Sequence, residues 1–168
     1  MSRHKLIHFS EKPLTEVRSV AQGKSNSGPY KPCGLWVSVE GGKSHGWFAW
    51  CQSERYGLQG FVHQTEIVLR GDARVVWIKT ARELDAFTDE YERRDDPDYP
   101  RYAREPDWAR VADRFQAIII APYLWSRRMH KRTRWYYTWD CASGCIWDSA
   151  AVASLASLPT PSGEDRDG

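Results

Sequence analysis

The chain has 168 residues, 41% of them hydrophobic and 27% charged, enough for one globular domain with a real core. Its formal net charge of +2 is too small to mark a nucleic-acid-binding protein by itself. The longest apolar run, AIIIAPYLW, is too short to span a membrane.

In chain order, KLIHFS (5–10) reads as a short strand, ended by Ser10 and Pro13, and PLTEVRSVAQ as one or two helical turns. GKSNSGPYKP (23–32) is a polar, Gly/Pro-rich loop before a second strand, CGLWVSVE (33–40), and the flexible turn GGKSHG. WFAWCQSERYG carries aromatics at 47, 48, 50 and 56, which suits a short helix against the core. FVHQTEIVLRGDARVVWIKT (61–80) holds two β-branched runs around RGDA, the pattern of a hairpin. ARELDAFTDEYERR (81–94) places Leu84, Phe87 and Tyr91 at helical spacing, with Thr80 as N-cap three residues before Glu83. DDPDYPRYAREP (95–106) is an acidic surface loop. DWARVADRF (107–115) is a helix with Trp108, Val111, Ala112 and Phe115 on one face, and AIIIAPYL (117–124) is a buried strand. After the basic loop WSRRMHKRTR, WYYTWD and GCIWD (144–148) read as strands. SLPTPSGEDRDG has the composition of a disordered tail. Few strands are joined by helix-length crossovers, so the expected fold is one α+β domain over residues 1–150 with mainly antiparallel strands, followed by a tail, 151–168.

Four cysteines invite a metal or redox reading, and the spacing disfavours both. Structural zinc wants two tightly spaced ligand pairs. Here Cys141 and Cys145 would be joined by Cys33 and Cys51, eighteen apart, or by His45. The C-x3-C spacing also misses the C-x-x-C redox pattern. No leader sequence is read in MSRHKLIHFSEKPL, so a cytoplasmic compartment with reduced thiols is expected. No phosphate-binding loop, dinucleotide fingerprint, nucleophile elbow or zinc-protease motif occurs. Nine tryptophans exceed what packing requires. Trp serves where an apolar face and a hydrogen-bonding edge are both useful, as in pocket walls and stacking platforms.

What remains is a set of polar residues on apolar strands: His8 in LIHFS, Ser38 in GLWVS, Asp140 closing YYTWD and Asp148 closing CIWD. This ordered set resembles the ADP-ribosyltransferase superfamily of the diphtheria-toxin and poly(ADP-ribose) polymerase kind, in a divergent bacterial or phage form. LIHFS (6–10) is similar to the family's apolar-His-aromatic-small strand. GLWVS (34–38), preceded by KP, is similar to its G-(L/I)-(Y/W)-x-(S/A) strand. HQTEIVLRGDARVVWI is similar to a later hairpin, so the likeness spans about residues 5 to 148.

The resemblance implies split β-sheets flanked by short helices, NAD+ as substrate, and transfer to a macromolecular acceptor, nucleic acid or protein. It implies that His8 holds the adenosine ribose, that Trp36, Trp47, Trp50 and Tyr56 offer faces to the nicotinamide ring, and that Ser10 and Gly34 belong to the same NAD+-binding set. It further implies that Ser38 and a late carboxylate serve the bond-breaking step. That carboxylate is a glutamate in the family; this chain has no Glu between 106 and 163, which leaves Asp140, preferred, or Asp148. A carboxylate there would stabilise an oxocarbenium-like transition state, as in glycoside hydrolysis. The pyrophosphate would take backbone donors around KPCG, or Lys31.

WSRRMHKRTRWYY (125–137) places Arg127, Arg128, Lys131, Arg132 and Arg134 among aromatic rings, the mixture that tracks a single strand of nucleic acid. Pairing with the acidic stretch DEYERRDDPDY is the plainer account of these charges. Two other classes of function stand beside the enzyme: a non-catalytic nucleic-acid-binding module using the Trp-rich surface and basic loop, and a zinc-stabilised interaction domain.

Overall fold

A computed structural model describes residues 4–23, 31–41, 45–93 and 104–159. Seven strands hydrogen-bond into one sheet of order β4-β5-β6-β2-β1-β3-β7. They are β1 Lys5–Ser10, β2 Leu35–Glu40, β3 His63–Leu69, β4 Val75–Ile78, β5 Ala117–Ile120, β6 Ser143–Ile146 and β7 Val152–Leu158. Every pairing is antiparallel except β4 with β5. The mixed α+β class and the mainly antiparallel strands are as expected. The split sheet is not: β2 pairs with both β1 and β6 and joins the two halves into one ladder.

That ladder is strongly curled. β3 and β4 stand five strand spacings apart in the sheet order, about 24 Å if it were flat. The link from Leu69 to Val75 reaches at most about 22 Å. Curling brings the ends of the sheet together across an aliphatic core of Leu6, Val37, Val39, Ile67, Ala117, Ile119 and Ala142. On the outer face, Ile118, Ile120 and Cys145 pack under the helical layer with Leu84, Phe87, Trp108, Val111, Trp135 and Tyr136. β5 is therefore covered on both sides, which is why it reads as an unbroken apolar run.

The helices are α1 Trp47–Glu54, α2 Ala81–Tyr91, α3 Trp108–Arg114 and α4 Trp125–Arg128. α2 starts with the capping box read from sequence: Glu83 N donates to Thr80 Oγ1 at 3.2 Å and Thr80 N to Glu83 Oε2 at 3.0 Å. Asp107 caps α3.

Four local expectations fail, each because tertiary partners win. WYYTWD is no strand: Lys131–Thr138 forms 3-10 turns, and Trp135, Tyr136 and Trp139 all enter the outer core. Alternation would have put Trp135 and Tyr136 on opposite faces. The RGDA hairpin does not form, because β3 pairs with β1 and β7 while β4 lies beside β5. PLTEVRSVAQ is an extended strap; Val20 N donates to Trp147 O at 2.8 Å, and the Gln22 amide brackets Cys33 N and O. The segment assigned to the tail opens with β7, a seven-residue strand with six residues paired to β3 and a register shift at Val68/Leu69. Residues 160–168 lie outside the described residues, as does most of the acidic loop 95–106.

Candidate functional site

β1 and β2 pair from Lys5 to Ile7 against Ser38 to Glu40, and then the ladder ends. Past that point the His8 imidazole takes the place of a ladder bond: its Nδ1 lies 2.8 Å from Trp36 O. A carbonyl only accepts, so Nδ1 carries the hydrogen. In the neutral ring that leaves Nε2 as an acceptor. A cavity of about 250 Å3 opens at this fork, lined by residues from four separate parts of the chain, among them His8, Phe9, Trp36, Ser38, Trp47 and Asp140. Lys31, Trp139, Cys141 and Ser143 complete much of the wall.

Alternation explains the convergence. Ile7 pairs with Ser38, Ser38 with Ser143, and Trp36 with Cys145, so these side chains share the outer face of the sheet. The helical layer covers Cys145 and stops short of Ser38, and the pocket is what it leaves open. Trp36 meets Trp139 edge to face at 4.9 Å, and Trp47 stacks on Trp50 at 4.9 Å. Lys31 Nζ stands 5.0 Å from the centre of the Trp36 ring. Burial lowers the Lys31 pKa, while Asp140 pulls it the other way.

Ser38 is heavily engaged. Its Oγ donates to Glu40 Oε1 at 2.5 Å and accepts from Trp47 N at 2.6 Å. It thus locks β2 to the start of α1 and orients Glu40, a carboxylate that sequence reasoning passed over. The search there was confined to late strands. The signal was nevertheless present, since a Ser and a Glu two apart on one strand share a face. Gly46 is required opposite this pair: a Cβ would run into Glu40 Oε1 and Ser38 Oγ.

Asp140 sits at the rim, its carboxylate 3.4 Å from Arg128 Nη2. Asp148, the other carboxylate expected to serve the bond-breaking step, is not among the residues that line this pocket. It accepts from Gln116 Nε2 at 2.8 Å and from Ala150 N at 2.9 Å, so it caps a short turn and ties the start of β7 to β5. Its bond to Gln116 holds its carboxyl below the usual range.

Three other expected ligand residues are not part of the pocket wall. Ser10 Oγ donates to Lys12 O at 2.7 Å and closes the turn after β1. Gly34, at φ 152°, is where β2 passes so close to Ile146 O that no side chain fits. Tyr56 is 60% exposed and packs edge-on against Trp47 and Trp50 outside the cavity.

The basic segment divides in two. Arg127 forms a paired contact with Asp85 at 2.8 and 2.9 Å, and Arg132 bonds Asp89, so these two fasten the segment to α2. On this geometry both guanidinium groups are engaged by α2 carboxylates. Arg128 turns to Asp140, and Lys131 and Arg134 are exposed.

All four cysteines are free thiols. Burial pushes Cys141 up to about 12 and Cys51 up to about 11, so neither supplies a thiolate nucleophile near neutral pH. Among the described residues, no three His, Cys, Asp or Glu side chains gather as a metal site, and no helix is long and apolar enough to cross a membrane. No family model matches the chain, and neither a curated protein nor a solved structure matches it.

Proposed function

We propose that the β1–β2 fork binds NAD+ and cleaves its nicotinamide–ribose bond, in the manner of an ADP-ribosyltransferase. The observation that carries the reading is convergence. His8, Ser38 and Asp140, the last one of the two carboxylates that the ordered set offered, line one cavity together with Trp36 although up to 132 positions separate them. The enclosed volume is below the 300–1,000 Å3 that drug-sized ligands occupy. It suits one end of a dinucleotide, with the rest extending outside.

Each wall has a matching task. Trp36 and Trp47 offer aromatic faces to the cationic nicotinamide ring. Trp139 lends a buried indole N–H that has no partner among the described residues, a donor suited to a ligand oxygen. His8 Nε2 accepts from a ribose hydroxyl. Asp140, with Glu40 behind Ser38, places negative charge where C1′ becomes cationic. In the step, the C1′–N bond breaks and its electron pair goes to the ring nitrogen, so nicotinamide leaves neutral. The acceptor's oxygen or nitrogen, or water, bonds to C1′ and passes its proton to a carboxylate.

The test is nicotinamide release from NAD+ by the purified chain, with His8→Ala and Asp140→Ala alongside. Both variants are expected to lose release, and NAD+ is expected to raise the melting temperature of the wild-type chain. Unchanged release in both would remove the assignment.

A further inference from the structure

We infer that the surface formed by α4 and the following 3-10 turns binds single-stranded nucleic acid and presents it at the pocket rim as the acceptor. Only that presentation rests on the pocket reading given above; the binding stands by itself. Trp125, Met129 and Tyr137 are 63%, 77% and 51% exposed, large apolar groups brought together on one short stretch. Beside them lies an open groove of about 550 Å3 lined by Arg104, Met129, His130, Lys131 and Arg132. Lys131 and Arg134 form no ion pair among the described residues, whereas Arg127 and Arg132 are held by Asp85 and Asp89. Of its five cations, two thus fasten the segment to α2, Arg128 turns to Asp140, and Lys131 and Arg134 are exposed.

Cations alone would suit an acidic protein equally well. Exposed aromatic faces between them favour unstacked bases, because every base has a π-face and a duplex hides it. The surface is also continuous with the pocket. Arg128 lies over the Tyr137 ring at 5.5 Å and reaches Asp140 at 3.4 Å, so a base on Tyr137 is one side chain from the rim. Trp125 packs edge-on against Tyr123 at 4.7 Å, whose buried hydroxyl has no partner among the described residues.

The test is fluorescence anisotropy of the full chain with labelled DNA and RNA strands of about twelve nucleotides, within the usual site size for such surfaces. The competitors are the corresponding duplex and a glutamate-rich peptide of equal charge. Binding of either single strand is expected, weakening with salt, and the sugar preferred follows from which strand binds tighter. Trp125→Ala and Tyr137→Ala should each weaken binding by about tenfold. Lys131→Ala and Arg134→Ala should each make the log–log salt slope shallower by about 0.7. His8→Ala should lose nicotinamide release and keep strand binding, which separates this proposal from the pocket reading. No single-strand binding at low salt, equal binding of the acidic peptide, or full binding by the Trp125→Ala/Tyr137→Ala double variant would overturn it.

Discussion

Two Trp-Asp pairs lie eight residues apart in this chain, and they have opposite surroundings. Trp147 donates its indole N–H to Phe115 O at 2.8 Å, and Asp148 is bonded by Gln116, Ala150 and Ser19. Every polar group of that pair is occupied with holding strands together. Among the described residues, Trp139 has a buried N–H without a partner, and Asp140 accepts a single long contact, from Arg128, at the mouth of a cavity. Identical dipeptides become a brace in one place and a pocket rim in the other. The lesson is that hydrogen-bond satisfaction, more than residue type, separates structural polar groups from those free to meet a ligand.

The sharpest way to break this comparison is to neutralise the two aspartates in turn. Asp140→Asn should reduce nicotinamide release by about 100- to 1,000-fold, the usual loss when one charge-stabilising group is removed. Asp148→Asn should leave release near the wild-type rate; equal losses in the two variants would erase the distinction.

Next in size is an unsatisfied group far from the pocket, which tests whether such groups mark strain instead. Glu105 is buried, Oε2 has no partner among the described residues, and burial raises its pKa to about 7 against the opposing pull of Arg93. The folded state therefore holds this proton more tightly than the unfolded chain. Its stabilisation is complete below about pH 4.5 and is lost as pH rises through 7, by on the order of 3 kcal/mol. Urea denaturation across that range should show the decline, and Glu105→Gln should flatten it.

A smaller effect is expected from Asp148→Ala. Loss of the cap and of the Gln116 bond should cost about 1–2 kcal/mol in urea denaturation. The finest contrast is between the two indoles. Trp147→Phe strands the Phe115 carbonyl and should lower stability by about 1 kcal/mol more than Trp139→Phe, which abandons no partner. Trp139→Phe should instead reduce the melting-temperature gain produced by NAD+.

How much of this was legible in the sequence varies by element. α2 was read with its cap, because Thr80, Glu83, Leu84, Phe87 and Tyr91 act within one or two helical turns. α3 and β5 were legible for the same reason. WYYTWD was misread because aromatic residues fit strands and 3-10 turns alike. The choice was made by Thr88, which receives the Trp135 N–H, and by Tyr136, whose hydroxyl accepts from Leu124 N. Glu40 was missed because its importance lies in Ser38 and in the Gly46 backbone facing it.

By itself the sequence determined the α+β class and the helices with strong local signals, which follow from periodicity and order along the chain, both local quantities. The candidate set of His8, Trp36, Ser38 and either Asp140 or Asp148 rested on resemblance to a family. Only the tertiary structure decided that the sheet is continuous and curled, that β3 and β4 part company, that Asp148 is a brace, and that Arg127 and Arg132 are bound to α2. Each of those depends on partners 20 to 130 residues away. Because the backbone and side chains of a short segment can be satisfied in several ways, distant neighbours choose among them.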